Sequence, residues 1–199
     1  MIAIIDYGLG NLRSVQKAFE KVGAQAVITQ DKETIKSADK VVLPGVGAIK
    51  PAMDRLTELD LLLTIKEIIS KKPFLGICLG YQILFEKSNE GGNVKGLSIF
   101  EGAVERFTVG KVPQMGWNQI KINTQNNKMF KNIPDNSYVY FCHSYFVKPK
   151  DKNLVAATTD YGLSYASAVA RNNVFGVQFH PEKSQKTGLQ ILKNFAEIK

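Results

Sequence analysis

The sequence predicts an α/β fold: a single domain with a mostly parallel central sheet flanked by helices, plus additional antiparallel strands. Three observations predict it. In the first half, short and almost wholly apolar runs alternate with segments of helical spacing, the pattern of strands buried on both faces by crossover helices. The second half packs several short strand-like segments together, too close for a helix between each. No repeat, low-complexity tract or linker divides the 199 residues, which suffice for one substantial core.

Residues 1–7, MIAIIDY, form the first buried strand. After Asn11, Leu12, Val15, Phe19 and Val22 recur at helical spacing. Residues 24–29 make a second strand and 40–43 a third, ending in the turn Pro44, Gly45, Val46, Gly47. A helix is expected over 52–71, a fourth strand over 74–77 and a helix from 79 to about 86. Strands follow at 102–109, 118–123, 138–141, 154–159, 165–170 and 174–179, several of which must pair antiparallel. A final helix over 184–198 carries Leu189, Leu192 and Phe195 on one face.

Composition narrows the function. Apolar residues make up 44% and charged residues 22%, an ordinary soluble balance. No apolar run reaches membrane-spanning length and the start lacks a signal peptide's basic region, so a cytoplasmic protein with no membrane partner is expected. The net charge is +8, but 22 of the 26 basic residues are lysines, scattered along the chain. Four arginines are few for base readout, so no nucleic-acid partner is expected. The lysines read as a solvated surface, or alternatively as a docking face for an acidic partner. Two cysteines in a chain of this size are expected to stay reduced.

One of them, Cys78, stands in Gly76-Ile77-Cys78-Leu79-Gly80, between a strand and a helix. This is the G-x-nucleophile-x-G form of an elbow, a strained turn that lifts the side chain above the sheet. A helix beginning there favours the thiolate, and the Leu79 N–H is placed for an oxyanion. A buried structural cysteine in a tight turn fits the pentapeptide equally well.

A thiol nucleophile needs a base, and only His143 and His180 are available. His180 follows an apolar strand in Gln178-Phe179-His180-Pro181-Glu182. Pro181 biases it toward an extended conformation, in which residues two apart point the same way. Glu182 can then hydrogen-bond the imidazole on the side away from the thiol, giving a Cys-His-Glu triad in logic. His143 directly follows Cys142, and strand neighbours face opposite sides, so that pair makes a poor dyad. Two cysteines and two histidines lack any CxxC or HxxxH spacing, and no metal site is expected. Asp6 suits a turn or a helix cap better than catalysis.

GICLGYQ, with HPE about a hundred residues later, resembles the class I, triad-type glutamine amidotransferases over essentially the whole chain, residues 1–199. IIDYGLGNLRSV, LPGVGA, VPQMGWN, YFCHSYFV and HPEKSQ further resemble the glutaminase subunits of imidazole glycerol phosphate synthases. Tyr81 and Gln114 depart from the pattern, where methionine and histidine are frequent, without removing a catalytic group. The resemblance implies a flavodoxin-like, glutamine amidotransferase-type fold and hydrolysis of glutamine to glutamate and ammonia, with no cofactor. It implies Cys78 as nucleophile, His180 as proton shuttle and Glu182 as its orienting carboxylate. Leu79, Val46 and Gly47 would form the oxyanion hole, and a peptide flip there, if required, makes activity conditional on a partner.

Gly45, Gln82, Glu90, Ser144 and Tyr145 match substrate-binding positions, Gln82 lying one turn after Cys78. Read without the family, Gln82 could be a surface or cap residue. Asn11, Trp117, Asn118, Tyr140 and Lys183 match interface or gate positions. Trp117 equally suits a core tryptophan on its own, and Lys183 a surface lysine. The partner implied is a (β/α)-barrel cyclase subunit in a heterodimer, which receives the ammonia in a step of histidine biosynthesis. Rival readings are another ammonia-donating subunit, such as those of anthranilate or pyridoxal phosphate synthase, a paralogue serving a different aminating enzyme, and a catalytically silent interaction module. Absence of the combined VPQMGWN and HPEKSQ would favour the first rival, and the intact triad set argues against the last.

Overall fold

The structure is a computed structural model that describes residues 1–123 and 128–198. Along the first half run β1 (Ile2–Ile5), α1 (Leu12–Lys21), β2 (Ala26–Thr29), α2 (Lys32–Ser37), β3 (Lys40–Gly45), α3 (Ile49–Glu58), α4 (Leu62–Ile69), β4 (Phe74–Cys78) and α5 (Leu79–Gln82). The second half contributes β5 (Phe85–Ser88), β6 (Val94–Lys95), β7 (Phe100–Arg106), β8 (Gln114–Ile122), β9 (Ser137–His143) and β10 (Tyr145–Pro149). It closes with β11 (Val155–Asp160), β12 (Ser164–Arg171), β13 (Val174–Val177) and α6 (Gln185–Glu197).

Five strands, in the order β2, β1, β3, β4, β13, pair in parallel. β1, β4 and β13 are buried at every position, as strands covered on both faces must be. Beyond β13 the sheet turns antiparallel through β12, β10 and β7, and a branch through β11, β8 and β9 leaves β12. One face is covered by α1 and α6, where Phe195 meets both Phe19 and Phe175 at ring separations of 6.2 Å. The other carries α2, α3 and α4, with Ile35, Leu56, Ile65 and Ile68 at its centre. The mostly parallel α/β architecture with added antiparallel strands is therefore the one the sequence predicts.

Local differences have physical causes. The helix expected over 52–71 is two helices. The Asp60 N–H donates to the Thr57 carbonyl and the Leu61 N–H to the Leu56 carbonyl, with Asp60 at φ 52°, a Schellman end made without glycine. The helix expected from 79 to 86 lasts one turn. The Ile83 carbonyl is taken by the Leu97 N–H and the Leu84 carbonyl by Ile99 and Phe100, so residue 85 starts a strand instead. The short helix α2 and the strands β5, β6 and β10 lie outside the sequence-based expectation. Among the described residues no helix is long and apolar enough to cross a membrane.

Candidate active site

The candidate nucleophile and candidate base leave the carboxyl ends of neighbouring parallel strands, where ligands bind in open α/β sheets. Cys78 ends β4, paired with Gly45 at the end of β3, and β13 on its other side leads directly into Gln178, Phe179 and His180. At φ 54° and ψ −107° Cys78 occupies a backbone region that costs an L-residue about 1–3 kcal/mol. Packing enforces this turn. A Cβ on Gly80 would fall 1.8 Å from the Leu43 carbonyl oxygen, and one on Gly76 would fall 2.6 Å from that of Gly80. The sequence placed a helix of some two turns behind the thiol; the single turn of α5 supplies a correspondingly smaller dipole.

His180 is buried, and its Nδ1 donates to Glu182 Oε1 at 2.8 Å. Glu182 itself is buried at its side chain, with Oε2 unpartnered. Cys78 and the imidazole line the same cleft. Burial alone pushes the imidazole pKa down, but its interactions with Cys78 and Glu182 outweigh it and raise it to about 10. At neutral pH the ring is thus an imidazolium paired with the carboxylate. A short 3₁₀ turn over Pro181–Lys183 places Glu182 under the ring.

Ser184 fixes that turn to β9. Its hydroxyl donates to the His180 carbonyl at 2.6 Å and accepts the Tyr140 N–H at 2.9 Å, while the His180 N–H donates to the Tyr140 carbonyl at 2.9 Å. His143 is engaged elsewhere: its Nδ1 donates to the Tyr145 carbonyl at 2.7 Å, and its ring packs on Phe107. Burial pushes its pKa down to about 4, so it stays neutral.

Cys78 and His180 open into a cleft of about 470 Å³, within the usual range for a small-molecule site. Val46, Gly47 and Leu79 line it together with Gln82, Glu90, Ser144 and Tyr145. Gly45, next to Val46, is buried, and a Cβ there would fall 2.1 Å from the Tyr7 hydroxyl. Glu90 also caps α3, since its Oε2 accepts the Ile49 N–H at 2.9 Å. Gln82 is buried, not a surface glutamine, and both hydrogen bonds from its Nε2 are internal, to Tyr145 O and Gln178 Oε1. Asp6 makes a turn, its Oδ1 accepting from the Gly8 N–H at 2.9 Å.

Lys183 carries the cleft outward to an aromatic rim. Its Nζ lies 5.7 Å from the Tyr140 ring centroid, and Trp117 stands edge-on to the same ring at 6.0 Å. Trp117 is 47% exposed and so is no core tryptophan. Asn118 is tied inward, its amide donating to the Asp160 carbonyl at 2.8 Å, while Asn11 is exposed at the start of α1.

Two residues of this site were not singled out by the sequence: Ser184 and Gln178, whose Nε2 lies 3.7 Å from the Cys78 sulfur. The period-two argument that joined His180 to Glu182 extends back to Gln178 and could have found it. Ser184 offered no such signal, because its partners are distant backbone groups.

A thiol on a strained elbow, a buried histidine–carboxylate pair and a cleft at the sheet's carboxyl edge make a site suited to thiol-based acyl transfer. The family model "Glutamine amidotransferase class-I" matches residues 3–198, and the chain belongs to that family. Among curated relatives, "Imidazole glycerol phosphate synthase subunit HisH" of Syntrophotalea carbinolica is 52% identical, with all of both chains covered. The protein of the same name from Acinetobacter baylyi is 49% identical over 98% of this chain and 97% of its own. A solved structure described as a glutamine amidotransferase superposes with a TM-score of 0.78 at 16% identity, covering both chains fully, a likeness of fold.

Proposed function

We propose that this chain is the glutaminase subunit of an imidazole glycerol phosphate synthase and works through Cys78, His180 and Glu182. The single observation that carries the catalytic reading is the buried His180–Glu182 hydrogen bond in the cleft that Cys78 and His180 share. Identity near 50% over whole chains to subunits of that name supports the particular synthase.

Cys78 sulfur attacks the side-chain carbonyl carbon of glutamine. The oxyanion that forms faces the wall of Val46, Gly47 and Leu79, whose backbone N–H groups are its donors. His180 gives its proton to the departing nitrogen, ammonia leaves, and a glutamyl thioester remains. Water, deprotonated by His180, then attacks the thioester; glutamate is released and the sulfur is restored. Glu182 holds the imidazole through both proton transfers. The Gln82 amide oxygen, whose NH₂ end is turned inward, is left to accept from the substrate carboxamide. Glu90 faces the substrate ammonium, and Ser144 and Tyr145 face its carboxylate, with Gly45 setting the depth of the wall.

Ammonia released into water is protonated and lost, so direct delivery demands a docked acceptor. The aromatic rim of Trp117 and Tyr140 with Lys183, flanked by Asn11 and Asn118, is the face on which a (β/α)-barrel cyclase subunit docks. An exposed tryptophan packed on a half-buried tyrosine beside one cation suits an interface core. The catalytic assignment is tested by a glutamine-mimicking electrophile and intact-protein mass: one adduct, mapped to Cys78, competed by glutamine and absent from Cys78→Ala. An adduct at Cys142, or none, overturns it.

A further inference from the structure

We propose that Gln178 is a further catalytic residue, whose side-chain amide hydrogen-bonds the Cys78 sulfur and is held donor-first by Gln82; this rests on the reading of Cys78 as the nucleophile. Gln178 is fully buried and directly follows β13, its backbone N–H donating to the Ser167 carbonyl at 2.8 Å. Its Nε2 approaches the sulfur at 3.7 Å.

An amide has two ends of opposite polarity, and the surroundings decide which one meets the sulfur. The Tyr145 carbonyl oxygen, which can only accept, faces the Gln82 amide at 3.1 Å, so that end of Gln82 is its NH₂. The same NH₂ meets the Gln178 side chain at 3.0 Å, so the near end of Gln178 is oxygen. Its far end, toward Cys78, is therefore NH₂. One main-chain carbonyl thus sets the polarity of two side chains and ensures that a donor faces the nucleophile.

An N–H aimed at sulfur favours the thiolate over the thiol. The Cys142 carbonyl, 4.0 Å from the sulfur, is the other hydrogen-bonding group against it and can only accept. With only one helical turn behind Cys78, the field of α5 cannot supply this stabilisation alone. The same bond helps twice: it supports the attacking thiolate, and it supports sulfur as leaving group when water opens the thioester.

The test compares Gln178→Met and Gln178→Glu with the unaltered chain. The measurements are kcat and KM for glutamine and the rate of Cys78 alkylation by iodoacetamide at neutral pH. Gln178→Met, similar in volume but without the donor, is expected to lower kcat and the alkylation rate about tenfold to a hundredfold with KM little changed, the range for a hydrogen bond to a charged group. Gln178→Glu, closest in shape but an acceptor, is expected to lower both further. A side chain that merely fills space predicts the reverse ranking, and that ranking, or unchanged rates in a folded Gln178→Met, overturns the proposal. If Gln178→Met does not fold, Gln82→Met removes the polarity lock together with a substrate contact, so only its alkylation rate, which needs no glutamine, is read, and an unchanged rate there overturns the proposal equally. A chain that never hydrolyses glutamine, even with a cyclase subunit, defeats the glutaminase reading instead, because alkylation still reports the bond to sulfur.

Discussion

His180 concentrates the electrostatics of the site in one side chain. Its pKa, first lowered by burial and then raised further by Cys78 and Glu182 to about 10, lies above the ordinary value of 6.5 for an imidazole. A raised histidine stabilises the fold fully below the unfolded pKa, and that stability is lost as pH rises through the folded pKa. The window is therefore from about pH 6.5 to about pH 10. Chemical denaturation of the unaltered chain and of His180→Gln across this window is expected to show the stability difference shrinking as pH rises. A constant difference contradicts the assignment. Much of this was legible beforehand: GICLG and HPE contain the nucleophile, the base and the carboxylate, because a strand-to-helix elbow and a period-two strand end leave plain local patterns. The same period-two spacing puts Gln178 on the side of His180, but which end of its amide faces the sulfur was not legible, because that depends on Gln82 and a backbone carbonyl of another strand.

The 3₁₀ turn over Pro181–Lys183 shows how an element positions a base without touching substrate. Ser184, fully buried, joins this turn to β9 through the His180 carbonyl and the Tyr140 N–H. Ser184→Ala removes both bonds and leaves the Tyr140 N–H without its partner, a loss of about 1–3 kcal/mol for a buried group. Lower kcat is expected, with near-normal KM and substantial rescue by Ser184→Thr, measured by glutamate release and thermal unfolding. Equal loss in Ser184→Thr, or a change in KM alone, contradicts a positioning role. Elements whose signals are local, such as β1, α1 and α6, were readable from periodicity. Those decided by competition for backbone partners were not: the end of α3 uses Asp60 where glycine is usual, and α5 stops because residues 97–100 take the Ile83 and Leu84 carbonyls that would continue it.

In the molecule as a whole, the parallel half of the sheet places the proposed catalytic groups and the antiparallel branch builds the face beside them. Trp117 comes from β8 and Tyr140 from β9, paired directly across the two strands, and Lys183 from the turn that carries Glu182. Tyr140 thus belongs to the rim by its ring and to the base by its main chain, hydrogen-bonded to His180 and Ser184. In the proposed complex, a partner seated on this rim would act on groups hydrogen-bonded to the His180 main chain. The α/β class was evident in the alternation of strands and helices, whereas the branch at β12 was not, since pairing between distant strands leaves no local pattern. The most direct measurement is the rate of glutamine hydrolysis by the purified chain, alone and with an imidazole glycerol phosphate synthase cyclase subunit carrying its nucleotide ligand, with Lys183→Glu in parallel. Strong activation that Lys183→Glu abolishes is the predicted result, and hydrolysis indifferent to the cyclase, or absent in both states, would contradict the account.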